Sequence, residues 1–139
     1  METKNVTLRL PIEQTDWLNE NYKNLNQGVI SAIDALKTIR VYSLSELKGK
    51  FDPGEWTFFA DSLNGIITDR MFRCNSGALV AHSEDSEQFN GTATKHNVNL
   101  PELLEKIKAL PGAQVDALYF RVEQFWDNPK ANLQKWAEY

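Results

Sequence analysis

The chain has 139 residues, which at ~150 residues per domain makes one domain or two very small ones. Lys plus Arg is 15 against 19 Asp plus Glu, a formal charge of -4. With 42% hydrophobic residues, including 4 Trp, 4 Tyr and 7 Phe, there is enough for a core, which excludes wholesale disorder.

One cysteine, Cys74, excludes an internal disulfide, and two histidines added to it fall short of a four-ligand zinc site. No run approaches the ~18 apolar residues of a membrane helix. The opening Met1-Glu2-Thr3-Lys4-Asn5 passes into structured-looking sequence without a signal peptide, so the expectation is a cytoplasmic protein. An acidic total does not point to nucleic acid, so any such role rests on where the charges sit. Up to residue 40 there are five basic and five acidic groups; the remainder, with ten against fourteen, carries the whole -4.

From Asn5 to Leu10 the sequence alternates, with Val6, Leu8 and Leu10 on one face and Asn5, Thr7 and Arg9 on the other. That period predicts a half-buried strand, which Pro11 then ends. A first helix is expected from Ile12 to about Lys23, with Leu18, Tyr22 and Leu25 at helical spacing. Asn26 is a credible N-cap for a second helix running from Gly28 to about Tyr42. That helix is apolar on two sides: Val29, Ile33 and Leu36 form one stripe, Ala32, Ala35 and Ile39 another. One short helix and one strand cannot cover both, and a lone strand leaves its edge unpaired. Association of two chains would remove both deficits.

These residues resemble the ribbon-helix-helix family of the Arc and methionine-repressor type. The strand ending Thr7-Leu8-Arg9-Leu10-Pro11 is similar to the family's alternating strand before a proline, and Asn26-Gln27-Gly28-Val29-Ile30-Ser31-Ala32-Ile33 to its opening of helix two. The resemblance covers roughly a quarter of the chain; Asn26 and Gly28 stand where hydroxyl residues are often found. It implies a homodimer on double-stranded DNA, with a two-stranded ribbon in the major groove and Asn5, Thr7 and Arg9 reaching base edges. The types suit that task, since Arg pairs with guanine, Asn with adenine, and Thr with a polar edge or the thymine methyl. The bland alternative is the solvent face of an edge strand. The amides of Gln27, Gly28 and Val29, at the positive end of helix two, form an anion site for a DNA phosphate, or simply an ordinary helix start. Lys4 and Lys23 would add phosphate contacts, or be plain solvated lysines.

Beyond residue 42 the sequence predicts a second, all-helical domain. Ser43-Leu44-Ser45-Glu46 reads as a capping box opening a short helix. Asp52-Pro53-Gly54-Glu55 gives cap, first-turn proline and acidic N3, followed by an apolar stripe of Trp56, Phe59, Ala60, Leu63 and Ile67. Ser76 is the expected cap of a helix carrying Leu79, and Asn90 to Asn97 an exposed loop. Asn99 caps a helix with Leu103, Leu104, Ile107 and Leu110, which Pro111-Gly112 ends. Val115, Leu118, Tyr119, Val122, Phe125 and Trp126 then share a face until Asp127-Asn128-Pro129, and a short helix carries Leu133 and Trp136.

The fold class expected is thus mainly α: a dimeric ribbon-helix-helix over residues 1–42, one strand plus two helices, followed by a helical domain over residues 43–139. His82 with Glu84, Asp85 and Glu87 lacks a second imidazole nearby, so no metal is expected there, and Cys74 reads as a small buried residue. No nucleophile elbow, P-loop or dinucleotide fingerprint is present, so neither an enzyme nor a cofactor is expected. The leading expectation is a dimeric transcriptional regulator such as a repressor, its helical domain binding a protein partner. The alternatives are an antitoxin and a protein-interaction module without a nucleic-acid role.

Overall fold

The computed structural model describes residues 1–64 and 72–139, and the chain divides into two compact units, Met1–Thr38 and Ile39–Tyr139. Among the described residues there are eight helices and no strand. That overturns the ribbon-helix-helix expectation, because such a fold needs a β-strand and residues 5–10 form none. A strand exists only through ladder hydrogen bonds to a neighbour. This chain shows one alternating segment and no second to pair with it, so residues 1–10 stay irregular, with only Leu10 partly covered.

In the first unit, α1 spans Ile12–Asn21 and starts from Pro11, whose carbonyl accepts the Thr15 amide at 3.1 Å. It stops short of Lys23 because Tyr22 turns extended, its amide closing the last turn on the Leu18 carbonyl. α2 spans Leu25–Leu47. Its cap is Asn24, two residues before the Asn26 that the sequence suggested: the Asn24 Oδ1 accepts the Gln27 amide at 2.8 Å. Gly28 is buried, and a Cβ there would lie 3.1 Å from both Leu18 and Tyr22. The missing side chain is what lets α2 pass so close to α1.

The stop expected at Tyr42 does not occur, and α2 carries residues into both units. Between Gly28 and Gly49 the chain has no glycine or proline, so nothing breaks the ladder. Ser43 is buried inside the helix, and Ser45 donates its hydroxyl back to the Tyr42 carbonyl instead of capping a new start.

The second unit is built on α3, Pro53–Ser62, which packs against α5 (Glu87–Lys95), α7 (Gly112–Asp127) and α8 (Leu133–Trp136). α4 (Ser76–Glu84) packs on α5 and on α6 (Leu100–Lys108). α3 opens with the expected capping box: Asp52 accepts from the Glu55 amide, and the Glu55 carboxylate accepts from the Asp52 amide. Asn99 caps α6 as its position suggested. α4 is capped by Asn75, not Ser76, through the Ala78 amide. Ile67 lies outside the described residues, and α3 ends before it.

The loop expected over Asn90 to Asn97 is mostly helix. Ser86 caps α5, and Phe89 and Ala93, one turn apart, are buried against the core. Burying that pair outweighs the ~1 kcal/mol that Gly91 costs a helix. Asp61 of α3 joins the end of α5, accepting from His96 Nε2 at 2.8 Å and from Lys95 Nζ at 3.1 Å. The His96 hydrogen bond, with Lys95 beside it, lowers the Asp61 pKa below its usual 3.8. A depressed carboxylate stabilises the fold above its unfolded pKa, and the gain disappears as pH falls through the lower folded value. Asp61→Asn should therefore flatten the loss of stability below about pH 4, measured by thermal unfolding across pH 2 to 6.

Candidate functional site

The first unit combines exposed apolar side chains with the polar residues singled out from the sequence. From Ala32 to Ile39, two turns of α2, every residue is exposed, Ile33, Leu36 and Ile39 among them. Val6 is 70% and Leu8 58% exposed, so the apolar face of the first segment is uncovered as well. Ordinary soluble chains scatter such residues singly. Here they share one small unit.

Between the first segment and the opening turns of α2 lies a groove of about 1080 Å³. Lys4, Asn5 and Arg9 line it beside Val6 and Leu8, and across from them stand Val29, Ile30 and Ile33. The alternation along residues 5–10 therefore does not sort into separate faces: both sets of side chains reach the groove. Thr7 is exposed and is absent from its lining. The groove carries two cations and no carboxylate.

The phosphate-binding groups are placed less favourably than the sequence suggested. The Gln27 amide donates to the Asn24 side chain, and the Gly28 amide donates to the Asn24 carbonyl at 3.0 Å. Val29 lies inside α2, where its amide belongs to the helix ladder. Gly28 has its bare Cα turned to Leu18 and Tyr22, not to a ligand. Lys4 and Lys23 are exposed, and Lys4 is at the groove.

In the second unit, Cys74 is exposed, correcting the buried placement expected, and has φ of 61°. Its carbonyl comes so near α7 that a Cβ at Gly112 would be 2.7 Å away. Partial desolvation, with Asp116 nearby, raises the thiol pKa, so it is a poor nucleophile. His82 stacks with Phe72 and Phe89, ring centroids 4.9 and 5.4 Å away. Among the described residues no cluster of His, Cys, Asp or Glu is arranged to hold a metal, and no helix is long and apolar enough to cross a membrane.

Two arrangements in this unit were not legible in the sequence. Asp116 accepts from Arg40 at 3.1 Å and from Arg73 at 3.3 Å, and Arg73 also bonds Glu123. Arg121 lies among the rings of Trp56, Trp136 and Tyr139, its guanidinium carbon 4.4, 4.3 and 3.9 Å from their centroids. These partners are far apart along the chain, so no spacing announces them. No family model matches the chain, and no curated protein or solved structure is significantly similar to it.

Proposed function

We propose that the protein is a DNA-binding transcriptional regulator of the cytoplasm, acting as a homodimer formed through its Met1–Thr38 unit. The observation that carries this reading is the exposed apolar surface of that unit. Val6, Leu8, Ile30, Ile33 and Leu36 are about half or more exposed, and a second copy offers the same residues in return. Beside that surface stand Asn5, Thr7 and Arg9, the side-chain types that hydrogen-bond base edges, and Lys4 and Lys23, which suit phosphates. The DNA contact is made by these side chains, not by the amides of Gln27 and Gly28.

Sedimentation at micromolar concentration, run beside a gel shift on genomic fragments, tests it. The wild-type chain should be a dimer and bind. Ile33→Asp, a charge placed on the exposed face of α2, should give a monomer with folded helices and no shift. Arg9→Ala should remain dimeric and bind about 5- to 150-fold more weakly, as the loss of a ~1–3 kcal/mol base contact requires. A folded wild-type monomer, or a dimer that shifts no fragment, would refute the reading.

The acidity of the chain favours a second reading, a protein-interaction module without a nucleic-acid role. Its signature is the dimer without the shift. An antitoxin tail that folds only on its toxin fits less well, because Ile39–Tyr139 buries its own core of Trp56, Phe58, Phe59, Leu103, Leu118 and Tyr119.

A further inference from the structure

Arg121 is a buried cation in an unusual setting. It is 8% exposed, yet among the described residues no carboxylate hydrogen-bonds or ion-pairs with it, and its Nη1 has no partner. Its Nη2 donates to the Trp136 carbonyl. Two of the three rings around it, Trp136 and Tyr139, come from the same short segment as that carbonyl. Only Trp56 comes from elsewhere.

The segment 133–139 is held by few other groups. The Tyr139 hydroxyl donates to the Leu44 carbonyl at 3.0 Å, and the Gly49 amide donates to the Tyr139 carbonyl at 3.0 Å. Ala137 is buried, Trp136 meets Trp56 edge-on at 5.5 Å, and residues 128–130 leading into the segment are exposed. Closing the segment over Arg121 gains three cation–π contacts and the burial of two large rings. It costs the hydration of a guanidinium with no counter-ion, and burial accordingly pushes the Arg121 pKa down to about 10. Opening the segment restores that hydration, so the two sides nearly offset each other.

We propose that Leu133–Tyr139 is a strap that opens as a unit while α3 to α7 stay folded, with Arg121 as its latch. Opening uncovers the Trp56 indole beside a freed guanidinium, together with the Leu44 carbonyl at the end of α2. The closed strap hides that surface and the open strap presents it. The device is independent of the DNA reading and stands or falls without it.

Native-state hydrogen exchange on the full chain tests it. The Trp136 and Ala137 amides, bonded to the carbonyls of Asn132 and Leu133 at 2.9 Å, report on the strap; the Leu118 and Val122 amides report on α7. The strap amides should exchange at least about 100-fold faster than those of α7 and respond weakly to low denaturant. Arg121→Lys keeps the charge but loses the planar stack and the fork to the Trp136 carbonyl. It should speed strap exchange about tenfold further and leave Leu118 and Val122 unchanged. Should that variant fail to fold, Tyr139→Phe, which removes only the bond to Leu44, should show the same selective increase. Strap and α7 amides exchanging at one rate, or a variant that accelerates both alike, would overturn the proposal.

Discussion

Trp56→Ala should lower the unfolding free energy by about 3–5 kcal/mol, the range for truncating a buried Trp or Phe. Trp56 is fully buried at the first turn of α3, with Phe51, Phe59, Trp136 and Tyr139 meeting it edge-on at 5.5 to 5.7 Å. Removing the indole opens a cavity that four rings line, and rings do not collapse into a gap as flexible side chains do. It also strips Arg121 of the one ring that does not come from 133–139. Trp56→Phe should cost clearly less, because the Trp56 Nε1 has no acceptor and its loss leaves nothing unsatisfied. Urea unfolding followed by far-ultraviolet circular dichroism measures both. A loss below about 1 kcal/mol for the alanine variant would mean the core does not depend on this ring.

Asp116→Ala should cost about 2–3 kcal/mol, less than a fully buried ion pair because both arginines keep some contact with water. The carboxylate is 12% exposed and holds Arg40 with one oxygen and Arg73 with the other. Removing it leaves Arg40 with the Phe120 ring, 4.5 Å below its guanidinium, and leaves Arg73 with Glu123. Asp116→Asn preserves the shape but turns an amide toward a guanidinium, so it should recover less than half of the loss. A difference that vanishes in 1 M salt would show the cluster to be more open to solvent than its burial implies.

What could be read from the sequence was local. Asp52-Pro53-Gly54-Glu55 carries its own instructions, because cap, proline and reciprocating carboxylate lie within four residues, and α3 begins there. Asn99, and Asp127 to Pro129 at the end of α7, were legible for the same reason. Where tertiary packing decided, local signals misled. Ser43 to Glu46 has the letters of a helix start, but with no breaker before it α2 continues through. Asn90-Gly91 has the letters of a loop, but Phe89 and Ala93 pin it to the core as helix. The strand expected over residues 5–10 failed differently: alternation states which face is apolar and cannot supply the neighbour that a ladder requires. Of the candidate site, Asn5, Thr7, Arg9, Lys4 and Lys23 are all exposed, as contact with a ligand requires. Gln27 and Gly28 were misassigned because the cap lies at Asn24, which takes up their amides.

Four helix starts in this chain, those of α2, α4, α6 and α8, rest on an asparagine side-chain oxygen. Asparagine is the residue most prone to slow hydrolysis of its amide as a protein ages. When the product is ordinary aspartate, the oxygen that accepts the backbone N–H is kept, and the new negative charge faces the positive end of a helix dipole. Ageing by that route leaves every one of these starts capped, while each event makes an already acidic chain more so. The isomeric product is different, because it adds a methylene to the main chain at the residue where the helix must turn in. Two products of the same mass thus have opposite consequences, and the old protein would divide into a fraction that keeps its helix starts and a fraction that loses them.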